Sequence, residues 1–198
     1  MSHLLALLVT VTVFGGGCAA QGSRVSEYLD PDTAVTIRAV GEPYLYAHDV
    51  PEMGANVRDY LSIGAVEVNN MGARKRYLAV VSWSTVDRGW VGAPPAPLPE
   101  TLMLGLNGQA RELALASHER RDLGIGAAVF AAPIGYVGES WYLVRLADLR
   151  SFAAAPPEAV DMQTGDRRSS YQLWGRADAA LAEFLRETPE EITSSPRR

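Results

Sequence analysis

Arg76-Tyr77-Leu78-Ala79-Val80-Val81-Ser82-Trp83-Ser84-Thr85 is the stretch on which the fold turns. Branched and aromatic side chains crowd it, and such residues fit a pleated surface, so the run is predicted to be a central β-strand. Upstream, Ile63-Gly64-Ala65-Val66-Glu67-Val68 also reads as a strand, although Val57, Tyr60 and Leu61 fit one helical turn and leave 57–68 ambiguous. Asn70-Met71-Gly72-Ala73 joins Ala65–Asn69 to Lys75–Thr85. Asn and Gly tolerate the positive φ of a tight turn, so the pair forms a hairpin.

Working outward, Asn107-Gly108 marks a second hairpin between Leu102–Leu106 and Ala110–Leu115. Thr33–Val40 and Pro43–Ala47 alternate as early strands, and further strands are expected at Ala127–Ile134, Trp141–Arg145, Ala159–Gln163 and Ser170–Trp174. Gly92-Ala93-Pro94-Pro95-Ala96-Pro97-Leu98-Pro99 lacks the amide donors a sheet requires and reads as a surface crossover. Two helices come late. Leu146, Leu149 and Ala153 line one face before Pro156-Pro157, and Ala177, Ala180, Leu181, Phe184 and Leu185 form a stripe at helical spacing. That stripe needs an apolar partner, and the strand carrying Trp83 is expected to supply it.

Many short strands with two late helices predict a mainly β protein: an antiparallel β-sandwich, immunoglobulin-like or transthyretin-like, with two short C-terminal helices. The alternative is an α+β fold with one helix-covered antiparallel sheet. The expected organisation is a signal peptide at 1–17, a lipidated N-terminus and flexible tether at 18–32, a single β-rich domain at 33–187 and a disordered tail at 188–198.

Composition narrows the classes of function. An apolar fraction of 47% with 21% charged residues is globular, and a net charge of −5 without a basic stripe speaks against a nucleic-acid partner. The one cysteine, Cys18, follows an apolar run of eleven residues, Leu4–Phe14, and three glycines. Such a run suits a secretory signal core and falls short of the roughly 20 residues that span a bilayer.

The stretch Val13-Phe14-Gly15-Gly16-Gly17-Cys18-Ala19-Ala20 resembles the lipobox of bacterial lipoproteins. The resemblance covers about the first 20 residues. It implies that Cys18 is diacylglycerated and becomes the new N-terminus, and that the membrane is a partner through this lipid. Ala19, in place of an aspartate, implies export to the outer membrane and a place on its periplasmic face. The alternative is a plain secretory signal cut near Ala19 or Ala20, giving a secreted or soluble periplasmic protein.

Chemistry is sparse. His48-Asp49 and His118-Glu119 each set a base beside a carboxylate, yet neighbours on a strand point to opposite faces, so neither adjacency builds a dyad or metal site. A nucleophile would have to be assembled in space from Ser82, Ser84 or Ser140 and a histidine. No metal site and no cofactor are expected. The segment Trp83 to Trp90 ends the strongest strand and exposes polar groups between two tryptophans, so Trp83, Asp87, Arg88 and Trp90 form the candidate binding surface. The sequence favours a membrane-anchored, non-enzymatic binding or assembly module of the cell envelope, with an envelope protein or glycan as partner. A cell-envelope hydrolase acting on glycan or ester substrates is the alternative.

Overall fold

The computed structural model describes residues 24–86, 98–106, 108–131, 138–164 and 167–188. Ten strands and two helices follow in the order β1 (Val25–Leu29), β2 (Thr36–Val40), β3 (Tyr44–Asp49), β4 (Arg58–Asn70), β5 (Ala73–Ser84), β6 (Thr101–Leu106), β7 (Gln109–Ser117), β8 (Gly138–Leu143), α1 (Leu146–Ala154), β9 (Ala159–Thr164), β10 (Arg167–Gly175) and α2 (Asp178–Arg186).

The predicted first hairpin is β4–β5. Its register runs unbroken from Asp59↔Ser84 to Asn70↔Ala73. Met71 and Gly72 make the turn with φ of 50° and 96°, and the Asn69 carboxamide oxygen accepts the Gly72 N–H at 2.8 Å. Positive φ at both central residues gives the turn a twist that matches the strands it joins.

All ten strands belong to one antiparallel sheet, ordered β1-β2-β4-β3-β10-β9-β6-β7-β8-β5, and the additional β4–β5 pairing closes eight of them into a ring. The long β4 makes the branch: one edge pairs with β3 from Arg58 to Ile63 and with β2 from Val66 to Asn69, while β5 runs along the other.

Side chains alternate across a strand, so each strand serves two environments. Inside the ring, Leu61, Ile63, Leu78, Val80, Leu102, Leu104 and Tyr142 pack with Leu149 and Phe152 of α1 and Leu181 and Phe184 of α2. The apolar faces of both helices thus join the core of the ring's inner face. On the outer face, Ile37, Val66, Val68, Tyr77, Ala79 and Trp141 form a second apolar cluster with Ile125, and Val129 and Phe130 pack against it. A Cβ on Gly64 would lie 2.4 Å from the Phe130 ring, so the absence of a side chain there is what lets Phe130 lie on β4.

Asp30 pins this cover. Its carboxylate accepts N–H bonds from Gly126 and Asp32 at 2.8 and 2.9 Å, and from Thr33 and Ala127 at 3.2 and 3.4 Å. Burial alone would raise its pKa; the four donors outweigh that and hold it below the ordinary aspartate value. Inside, the buried Glu67 accepts from Arg76 and Arg74, both at 2.8 Å. Beside it Arg38 donates to Thr188 Oγ1 and to the Phe184 carbonyl, each at 2.8 Å, and the Thr188 hydroxyl donates to the same carbonyl at 2.6 Å, so this carbonyl in the last turn of α2 is satisfied twice.

The mainly β, antiparallel architecture with two short helices agrees with the sequence pattern, but several local expectations need correction. The tether predicted over 18–32 gives way to β1 at Val25–Leu29, because Val25 and Tyr28 have apolar neighbours to pack on once β2 lies alongside. The region 57–68 contains no helical turn: Tyr60 and Leu61 face opposite sides of β4. Ala127–Ile134 is irregular as far as Ala131, since it lies over a sheet face as its cover; 132–134 fall outside the described residues. Thr188, assigned to the tail, is buried. Trp83 points away from the helices, because its even-numbered neighbours on β5, Leu78 and Val80, take the inner face.

Candidate functional site

On the outer face of β10, β3, β4 and β5 lies a row of aromatic and cationic side chains, three of them on the unbroken β4–β5 pair. Trp83 lies opposite Tyr60 in the register, and their rings stack at 4.2 Å between centroids with planes 14° apart. The Trp83 indole N–H donates to Ser62 Oγ at 3.3 Å. Two residues along β4, the Arg58 guanidinium sits 4.9 Å from the centre of the Trp174 ring. Arg58 donates to Asp49 at 2.7 Å, and the Asp49 carboxylate, followed by the Tyr60 hydroxyl, raises the arginine's pKa further.

Trp174 follows the inward-facing Leu173 on β10 and so takes the outer face by alternation, at the point where the β10–β3 register shifts between Leu173 and Gly175. It remains 59% exposed. The result is a continuous ladder, Trp83–Tyr60–Arg58–Trp174, with Ser62 and Asp49 as its polar rim. Stacked aromatic pairs contribute about 0.5–1.5 kcal/mol beyond area burial and a cation over a ring about 0.5–1 kcal/mol at exposed sites, enough to fix rotamers before any ligand arrives. A pre-ordered aromatic surface loses little entropy on binding.

Of the predicted surface, Trp83 is therefore in place, while Asp87, Arg88 and Trp90 lie outside the described residues, as does Cys18. Sequence reasoning missed Arg58 and Tyr60, whose signal was their even spacing on β4, and did not join Trp174 to Trp83, because only the ring brings β10 near β4.

The histidines divide. His48 directs Nδ1 to the Ser170 carbonyl at 3.0 Å, while its neighbour Asp49 turns to Arg58 on the other face. His118 meets a serine: Nδ1 lies 2.6 Å from Ser140 Oγ, and Nε2 is 3.8 Å from the Glu100 carboxylate. This is the composition of a nucleophile, base and orienting acid. Ser140, however, is 0% exposed, so its hydroxyl offers no face to a substrate carbonyl. Tyr142, also fully buried, donates to the Pro99 carbonyl at 2.7 Å, and its pKa is raised, chiefly by burial.

Among the described residues no three His, Cys, Asp or Glu side chains converge as metal ligands, and no helix is long and apolar enough to cross a membrane. No protein-family model matches the chain, and no curated protein or solved structure gives a significant match.

Proposed function

We propose that this chain is a lipid-anchored, non-enzymatic binding module of the cell envelope, held through Cys18 on the periplasmic face of the outer membrane. The observation that carries the binding reading is the ladder Trp83–Tyr60–Arg58–Trp174 on paired strands, in which the buried Tyr60 props a half-buried Trp83 and Arg58 holds a 59% exposed Trp174 at the surface. Its chemistry suits an envelope glycan, which stacks its apolar ring faces on indoles and bonds through its hydroxyls to Asp49, Ser62 and Arg58. The anchor reading rests on the lipobox resemblance. With β1 beginning at Val25, six residues separate it from Cys18, so the start of β1 lies within about 25 Å of the lipidated residue.

The test is co-sedimentation of the mature protein with purified cell-wall sacculi. Trp83→Ala together with Trp174→Ala is expected to reduce association at least tenfold with the fold intact, and undiminished association rejects the ladder. Cys18→Ser is expected to move the protein from the membrane to the soluble fraction; unchanged membrane association rejects the lipid anchor.

A further inference from the structure

The ring has an opening that the ladder does not touch. Strand β7 starts at Gln109, yet its register with β8 is confined to Leu115↔Tyr142 and Ser117↔Trp141. Past Leu143 the chain leaves β8 for α1, and a groove of about 390 Å³ opens between the two, lined by Ala110, Arg111, Glu112, Leu143, Arg145 and Asp148.

The backbone facing this groove follows from the turn. In a two-residue hairpin the flanking pair, here Leu106 and Gln109, exchanges both hydrogen bonds, and bonded pairs recur at every second residue. The Leu115 N–H bond to the Glu100 carbonyl at 2.8 Å keeps that phase. The N–H and C=O groups of Ala110 and Glu112 consequently point away from β6 and into the groove, where the β7–β8 register has already ended. Both residues are exposed.

Charge adds a preference. Arg145 occupies both oxygens of Asp148, at 2.7 and 3.0 Å, whereas Arg111 Nε stays at 3.7 Å, beyond hydrogen-bond range, with its side chain 46% exposed. One carboxylate serves two guanidiniums, and the Arg111 fork is left to bond a second one.

We propose that this open edge takes an extended strand of a partner polypeptide, carrying an acidic side chain opposite Arg111. Donors and acceptors repeating at every second residue along an edge are complementary to another strand backbone. A second copy of this chain fits badly: an antiparallel pairing that used all four backbone groups would set Ala110 opposite Glu112 and thereby Arg111 opposite Arg111, and like charges directly opposed are destabilising. The occupant is thus a different polypeptide, which makes the domain an adapter with two separate faces.

The probe is a capped seven-residue peptide alternating valine and threonine with glutamate at its centre, titrated into the full chain and followed by backbone amide shifts. Binding is expected to move the amides of 109–114 and to weaken at least tenfold in Ala110→Pro, which removes a groove-facing donor without touching the β6 pairing. Peptide N-methylated on its groove-facing amides should lose binding to the unaltered protein, a control independent of whether Ala110→Pro folds. Arg111→Glu should weaken the glutamate peptide and favour its lysine counterpart. Trp83→Ala should change none of this, which separates the edge from the ladder. Unchanged affinity of the N-methylated peptide, no shifts at 109–114, or a dimer in sedimentation that Ala110→Pro dissolves would each overturn the proposal.

Discussion

The two Asn/Gly hairpins look alike in sequence and differ in how the rest of the molecule holds them. Around β4–β5, β3 and β2 pair along one side and β8 along the other, and both faces carry packed side chains. The β6–β7 hairpin meets β9 at Met103↔Asp161 alone and β8 at one end. Its outer face is exposed, Met103 by 43%. Local turn chemistry decides that a hairpin forms; how firmly it is held depends on neighbours that arrive from distant sequence. The enclosed hairpin carries Arg58, Tyr60 and Trp83 of the ladder, and the less enclosed one carries the open edge.

Native-state hydrogen exchange gives the widest separation between the two. Amides of β4 and β5 should exchange only through global unfolding, whereas those of β6 and β7 should exchange through a partial opening at a free energy several kcal/mol lower, on the order of half the total stability. Equal protection in both hairpins would erase the contrast.

A single methyl group sharpens it. Gly64→Ala places a Cβ against the Phe130 ring and should cost about 1–3 kcal/mol by overpacking. Thermal denaturation of Gly64→Ala, Phe130→Ala and the double variant should show most of that cost relieved when the ring is absent; simple additivity would mean that the clash is not the cause.

Asp30 reports on the cover over β4. Its folded-state pKa is depressed, so its contribution is present above the unfolded value of about 3.9 and is lost as pH falls through the lower folded one. Replacing it with asparagine should lower stability at neutral pH and flatten the acid limb of the stability profile below about pH 4. Parallel profiles for the two proteins would show that the carboxylate charge is not engaged.

The smallest expected effect lies in the second hairpin. A Cβ on Gly105 meets nothing within 4 Å, so Gly105→Ala should be neutral or stabilise by up to about 1 kcal/mol, through a less flexible unfolded chain. A loss comparable to that of Gly64→Ala, measured in the same denaturation series, would show that β6 is as tightly enclosed as β4.

Sequence alone determined what local physics controls. The crowding of branched and aromatic residues from Tyr77 to Trp83 made a strand, Asn70-Met71-Gly72 made a turn, and the 3.6-residue stripe from Ala177 to Leu185 made α2, because each is a preference expressed within a few residues. Tertiary structure alone decided which face each strand turned inward and which strands met. Trp83 reads equally well as core or surface until the ring fixes the parity of β5, and β1 reads as tether until β2 offers it a partner. The ladder joins residues from three strands, 58 and 60 on β4, 83 on β5 and 174 on β10, and no sequence period links them. Pairing between distant strands is set by summed burial over the whole sheet, and that sum exists only once the chain has folded.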